Sequence, residues 1–281
     1  HLQWGTYLHG IFEGLASAYL AQSPNGLNWP KFLAKNGLNL LPSLMEKVET
    51  EEEDIRDKKV GIPAVVIESK RTEIKEVAVK FINREIHSAE ETGFAPIRAE
   101  EEFKDVKYTW GNRELTFRGT ADRLDSNGKS SYRVIDYKTG KNHFKNSQNL
   151  FLDGGDYIHL QHVIYGLWAS QQVKPPIKPE TLQCGYYFTS DKSNWTTVIA
   201  PYQDSLPQFQ KLMSLFYDAL ARGEFRKNAT SCEGCDFRLV CGGIPKKRQF
   251  LITRPEQILA IEEALAGNDD NGESKGESDD E

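Results

Sequence analysis

Two short acidic stretches stand where a β-hairpin would bring them together. Gly119-Thr-Ala-Asp122-Arg-Leu-Asp125 and Val134-Ile-Asp136-Tyr-Lys138-Thr-Gly140 both have strand-like composition, and Ser126-Asn127-Gly128-Lys129 between them is a strong turn signal. Asp136 follows Val134-Ile135, at a position where a buried strand would carry another apolar residue. An uncompensated buried carboxylate is costly, and a cation is the natural compensation. Lys138, two residues on, points to the same face as Asp136 at a distance of about 7 Å. The chemistry open to such a set is the holding of an ion by two carboxylates beside an ammonium.

Register tests that reading. A two-residue Asn127-Gly128 turn would put Asp122 and Asp136 on opposite faces, because a slip of one residue flips every side chain. A three-residue loop, Asn127 to Lys129, pairs Asp122 with Val134 and Thr120 with Asp136. The carboxylates are then diagonal neighbours on one face, roughly 7–8 Å apart at the backbone and able to share one ion. The sequence therefore predicts an odd loop of three residues, and acids on opposite faces would exclude a shared metal.

Other candidates must be carried to this hairpin by separate elements. Gly5-Thr6-x-x-His9 opens a predicted helix running to about Gln22, with Thr6 as its N-cap, and His9, Phe12, Glu13 and Ala16 share one face. After Gly140 a polar loop leads to a helix expected from near Asp156, on which Gln161 and Tyr165 lie four apart on one face. His159 and His162 have metal-ligand spacing, but nothing nearby completes a set. Cys232-x-x-Cys235-(x)5-Cys241 places three thiolates where they could grip a soft ion or an iron–sulfur cluster. Zinc would normally take a fourth Cys or His, and none is local. Lys246-Lys247-Arg248 follows as a phosphate-contacting patch.

Gly-x-x-Asp-Arg-x-Asp, then Asp-Tyr-Lys-Thr-Gly at hairpin distance, resembles the PD-(D/E)XK nucleases of the RecB and AddB branch. The resemblance covers roughly residues 5–20 and 95–245. It implies an α/β (α+β), restriction-endonuclease-like core: a mixed central β-sheet flanked by helices, with a C-terminal cysteine-cluster segment. It implies Mg²⁺ held by Asp122, Asp136, the Tyr137 carbonyl and His9, whose Gly-Thr-x-x-His setting followed by Glu13 matches the family's N-terminal motif. Lys138 would assist catalysis, and Gln161 and Tyr165 would face the site and the DNA. One of Glu100, Glu101 and Glu102 would support the site from the preceding strand; the sequence does not say which.

The cysteine trio resembles the C-terminal motif of AddB and of the iron–sulfur nucleases of CRISPR adaptation, which implies a 4Fe-4S cluster on Cys232, Cys235 and Cys241. In that family the fourth Cys lies upstream of the nuclease domain, and here no Cys precedes Gly5. The missing ligand is expected before His1, with Cys184 as the alternative, although Cys184 on an apolar strand reads as a core residue. The function so implied is a Mg²⁺-dependent DNA exonuclease domain within a helicase–nuclease of DNA repair and recombination. With no Gly-x-x-x-x-Gly-Lys-Ser/Thr loop, ATP-driven work must come from a helicase domain or subunit. Two other readings are an inactive DNA-binding or scaffold module on the same fold, and a zinc-binding interaction domain.

The whole chain sets the frame. Its 281 residues, 38% of them hydrophobic, suffice for one large domain with appendages. Residues 267–281 hold seven acids and one Lys, so they account for the formal charge of −6 and the remainder is balanced. Net charge therefore does not decide the partner; a nucleic-acid enzyme needs only a local basic path. There is no apolar run long enough to span a membrane, no signal-peptide pattern, and a cysteine spacing suited to ligands rather than disulfides. These features lead to the expectation of an intracellular, cytoplasmic protein, nucleoid-associated if bacterial. A chain beginning at His1 is expected to be a piece of something longer.

The expected organisation is an N-terminal helix over 1–22, a helical insertion over 23–94 and a nuclease core over 95–225. A cysteine segment over 226–250, a terminal helix over 251–266 and a disordered acidic tail over 267–281 follow. Helical spacing of Ile74, Val77, Ala78, Phe81, Ile82 and Ile86 predicts a long helix from about Ser69 to Glu91, stopped by Thr92-Gly93. A three-stranded meander ends at Lys138, a strand pair spans 181–200, and a further helix through Phe209, Leu212, Met213, Phe216 and Leu220 closes at Gly223.

Overall fold

Alternating apolar and polar residues over 95–138 build three consecutive antiparallel strands, β1 (Ala95–Trp110), β2 (Arg113–Ser126) and β3 (Tyr132–Lys138). Strand β4 (Leu182–Phe188) runs parallel to β3, and β5 (Thr197–Pro201) pairs antiparallel with β4. The result is a mixed sheet in the order β1-β2-β3-β4-β5. A parallel neighbour requires a crossover, which carries a helix between β3 and β4. The computed structural model describes residues 2–22, 28–56, 64–142, 144, 150–151, 159–190 and 193–223.

Helices cover both faces. Helices α1 (Leu2–Gln22), α2 (Trp29–Phe32), α3 (Leu38–Arg56) and α4 (Ala64–Thr92) lie on one side, and α5 (Gln161–Gln172) and α6 (Tyr202–Ala221) on the other. The two-residue period of β3 sorts its side chains between them. Val134 joins Leu124, Val163, Trp168, Cys184 and Phe209 beneath α5 and α6. Ile135 and Tyr137 join Phe12, Phe32, Phe81 and Tyr187 beneath α1 to α4. This is the mixed sheet flanked by helices that the restriction-endonuclease-like expectation required. Among the described residues no helix is long and apolar enough to cross a membrane.

Three local expectations are corrected. The hairpin loop between β2 and β3 has five residues, Asn127 to Ser131, not three, because Arg123 pairs with Ile135 and Ser126 with Tyr132. The Asn127 side chain explains the extra length: its Oδ1 accepts from the backbone N–H of Lys129 (2.9 Å) and of Ser131 (3.1 Å). Such a side-chain turn draws the following residues out of the ladder. Helix α1 begins at Leu2, so Thr6 lies inside it and is not its N-cap. Gly5 is then a contact residue, since a Cβ there would stand 3.2 Å from Thr139 Oγ1. Finally, α5 begins at Gln161 rather than near Asp156, with residues 156–158 outside the described residues.

A buried ionic network ties the α1–α4 layer to the sheet. Arg123 donates to Glu85 on α4 (2.8 Å), to the Tyr137 hydroxyl (2.7 Å) and to Asp125 (3.0 Å). Glu85 also accepts from the Trp29 indole at 3.0 Å, so helices α2 and α4 are both pinned to β2 and β3. Each charge is paired and hydrogen-bonded, the condition under which burial of charge is tolerated.

The β4–β5 contact is equally exacting. A methyl at Gly185 would overlap the Val198 carbonyl oxygen and stand 2.8 Å from the Ile199 Cα. Backbone cannot yield there as a side chain could, so Gly185→Ala is expected to destabilise the fold by more than ~2 kcal/mol. Urea unfolding measures it; a loss below ~0.5 kcal/mol would contradict the packing.

Candidate active site

Register gathers three carboxylates into a row. In the β1–β2 ladder, Ala99 pairs with Arg123 and Glu101 with Ala121, which sets Glu100 opposite Asp122. One step beyond the Arg123–Ile135 pair of the β2–β3 ladder, Asp122 stands opposite Asp136. Residues directly opposite share a face, so Glu100, Asp122 and Asp136 cross three neighbouring strands side by side. The loop is odd, as the sequence demanded, but the two aspartates are directly opposite rather than diagonal.

The backbone is strained to achieve this. Glu100 has φ +46°, in the left-handed region that L side chains avoid. Strain of this kind costs of order 1–3 kcal/mol and persists only where the surroundings impose it.

Helix α1 brings His9 to the row. Its Nε2–H donates to the Tyr137 carbonyl (2.9 Å), while Nδ1 lies 3.5 Å from Asp122 Oδ2. The same Asp122 oxygen accepts the Tyr137 N–H at 2.8 Å. Ligand atoms of His9, Glu100 and Asp122 all lie within 4.8 Å of one another. On the other flank, Asp136 ion-pairs with Lys138, whose Nζ also donates to Gln161 Oε1 at 2.7 Å. Tyr165, one turn along α5 from Gln161, directs its hydroxyl at the Asp136 carboxylate.

The electrostatics follow from burial and like charge. Desolvation, then the negative charge of Asp136, pushes the Asp122 carboxyl up to about 8, against the Tyr137 N–H that favours the anion. Glu100 rises to about 7, through burial first and then Glu13 and Asp136. Burial also raises Asp136, with Lys138 acting against it. His9 is lowered by burial, so its imidazole favours the neutral form that a metal ligand requires. Among the described residues, three carboxylates and a neutral imidazole are opposed by one ammonium, a donor set short of positive charge. Hard oxygen donors with one nitrogen fit a divalent cation of the magnesium or manganese kind.

The structure thus brings together His9, Asp122, Asp136, Tyr137, Lys138, Gln161 and Tyr165. Of the three strand glutamates left open by the sequence, Glu100 enters the row. Cys232, Cys235, Cys241, Lys246, Lys247, Arg248, the terminal helix over 251–266 and the tail over 267–281 lie outside the described residues. Cys184 is buried in the core, its thiol pushed up by desolvation, away from the thiolate that binds metals. His162 is also a core residue: burial holds it down to about 3, and its Nδ1 shares a hydrogen bond with the Tyr186 hydroxyl at 2.9 Å.

The raised Asp122 value has a definite sign. Unfolded, the carboxyl ionises near its ordinary value; folded, it resists ionisation up to about pH 8. Its contribution to stability is therefore complete at acid pH and is lost as pH rises through the folded value. In EDTA, Asp122→Asn is expected to be more stable than wild type at about pH 8.5, by ~1 kcal/mol or more, with the gap shrinking toward about pH 5. Denaturant unfolding across pH checks this, and a gap independent of pH would exclude the crowded-carboxylate account.

A sequence model of the PD-(D/E)XK nuclease superfamily matches residues 1–242. No curated relative matches the chain. With that match over most of its length, and a mixed sheet whose meander carries the acid–acid–lysine set, the chain belongs to the PD-(D/E)XK nuclease superfamily.

Proposed function

We propose that this chain is a Mg²⁺-dependent DNA exonuclease domain that hydrolyses phosphodiester bonds, within a helicase–nuclease of the AddB/RecB type acting in DNA repair and recombination. The observation that carries the proposal is the row Glu100–Asp122–Asp136 with Lys138 on its flank. Glu100, Asp122, Asp136, His9 and the Tyr137 carbonyl are the residues that would hold the ion. A divalent cation bound among them supplies positive charge against the charge developing on the scissile phosphate and acidifies water.

The chain's own groups do the rest. Lys138, held between Asp136 and Gln161, presents an ammonium to the attacking water or to a non-bridging phosphate oxygen. A lysine fixed by two partners needs little reorganisation when the reaction charge appears. The Gln161 amide is exposed and lies where it can orient a strand, while Tyr165 keeps the Asp136 carboxylate in place from the buried side. His9, neutral and tethered to the Tyr137 carbonyl, ties helix α1 to the row.

Cleavage of end-labelled single- and double-stranded DNA with Mg²⁺ tests the reading. Asp136→Ala and Lys138→Ala are each expected to reduce cleavage by at least about 100-fold while remaining folded. Undiminished cleavage by both variants would refute the site, and metal-independent DNA binding without cleavage would instead favour a binding module on the same fold.

We further propose a 4Fe-4S cluster held by Cys232, Cys235 and Cys241. Support is the spacing of the three cysteines and the core placement of Cys184, which leaves it poorly suited as the fourth ligand. The anaerobically purified protein should show cluster absorbance with iron and sulfide in equal amounts; zinc without iron would remove the claim.

A further inference from the structure

On the face of the sheet turned away from the carboxylate row, a cavity of about 490 Å³ lies between the second half of α4 and strands β3 to β5. Its walls include Asn83, Arg84, Ser88, Arg133, Tyr187 and Trp195. Strand alternation separates it from the row: Arg133, Ile135 and Tyr187 face the cavity, while Asp136 and Tyr186 face the other way. Its volume is that of a small-ligand pocket.

Arg133 is the telling residue. Its side chain is 9% exposed, its Nε donates to Asp125 at 2.8 Å, and its guanidinium sits 4.5 Å from the Phe94 ring centroid. Among the described residues its two terminal nitrogens have no hydrogen-bond acceptor. Neither terminal nitrogen is sealed from solvent, so both are open to a ligand in the cavity, and their fork matches the oxygens of a phosphate. Arg84 supplies a second guanidinium, 5.6 Å over the Trp195 ring. Trp195 and Asn194 both have left-handed φ values, +53° and +52°, so local strain holds the indole beneath that cation. Of the acids on the walls, Glu85 accepts from Arg123 and Trp29, and the exposed Glu91 carboxylate lies 3.3 Å from His87 Nε2.

We infer that this cavity binds a phosphate monoester between Arg133 and Arg84, and that its ligand is a deoxynucleoside monophosphate, the class of product a nuclease releases. The choice of a nucleotide rests on the function proposed above; the anion site itself does not. The Asn83 amide and Ser88 hydroxyl add neutral hydrogen-bonding groups on the same wall.

Isothermal titration calorimetry in EDTA tests the site, because the uncompensated carboxylate row then repels phosphate and contributes no binding. dAMP, dCMP and inorganic phosphate are titrated into the full chain, into Arg84→Glu and into Arg133→Lys. One nucleotide per chain is expected to bind wild type, with each variant at least about tenfold weaker. Arg133→Lys keeps a cation for Asp125, and Arg84 is exposed, so unfolding midpoints near wild type accompany the loss. Inorganic phosphate binding as tightly as both nucleotides overturns the nucleotide assignment. No binding to wild type, or binding indifferent to both substitutions, overturns the site. Cleavage is read separately: a chain that cuts DNA but binds no nucleotide refutes the cavity alone, and one that binds but does not cut refutes the nuclease reading alone.

Discussion

Three carboxylates forced into one row by strand register are the constraint on which the rest of this structure depends. Like charges in a buried row repel one another and lose hydration: burial raises Glu100, Asp122 and Asp136, and neighbouring carboxylates add to the rise at Glu100 and Asp122. The protein offsets only part of that cost. Tyr137 N–H serves Asp122, and Lys138 and Tyr165 serve Asp136. Among the described residues no arginine reaches the row; the strand arginine Arg123 points to the opposite face and is consumed by Glu85, Asp125 and Tyr137. A site built to leave its acids undercompensated has room for an external cation, and that residual deficit is what distinguishes it from an ordinary ion-pair network.

The same alternation that exposes the row to one side builds its support on the other. Asp122 and Leu124 face one way while Arg123 and Asp125 face the other, so the Asp-Arg-x-Asp string divides itself between site and scaffold. Tyr137 does likewise within β3: its backbone N–H and carbonyl serve Asp122 and His9, and its ring and hydroxyl serve Phe12, Phe81 and Arg123. Helix α1 is therefore held to the sheet by aromatic packing at Phe12 and delivers His9 from the side opposite α5. Loss of the Arg123 network would misplace His9 and the row together, although Arg123 itself faces away from the row.

How much of this was legible in the sequence depends on whether local chemistry or long-range register decided the position. Asp136 and Lys138 could be read directly, since a two-residue offset on a strand fixes a shared face. The parity of the β2–β3 loop could also be read, because the acids had to share a face; its length could not, because the Asn127 side chain captures two backbone N–H groups and lengthens the turn. Glu100 was not separable from Glu101 and Glu102 for a stronger reason. The tight turn that pairs Trp110 with Arg113 would, continued without interruption, set Glu101 opposite Asp122. The shift between Phe103 and Val106, where Asp105 takes φ +57°, removes one step and sets Glu100 there instead. A bulge leaves little trace in composition, yet it decides which acid faces the site. Helix α1 shows the opposite error: Gly5-Thr6 has the composition of a helix start, but Gly5 serves close contact with Thr139 inside a helix already begun.

The wall behind Lys138 shows why His162 is better understood as structure than as a ligand. Tyr186 is fully buried beside Asp136 in the parallel ladder, and its hydroxyl requires an acceptor. His162 on α5 supplies a hydrogen-bond partner through Nδ1, and desolvation holds that imidazole neutral. Phe144 stacks on the Tyr186 ring at 5.2 Å, and the Lys138 ammonium lies 5.5 Å from the same ring. Helix α5 therefore fixes Lys138 by two routes, the Gln161 amide directly and the His162–Tyr186 pair through a ring face attractive to cations. Lys138 pairs with Asp136 while Gln161 and the tyrosine ring fix its ammonium at the flank of the row.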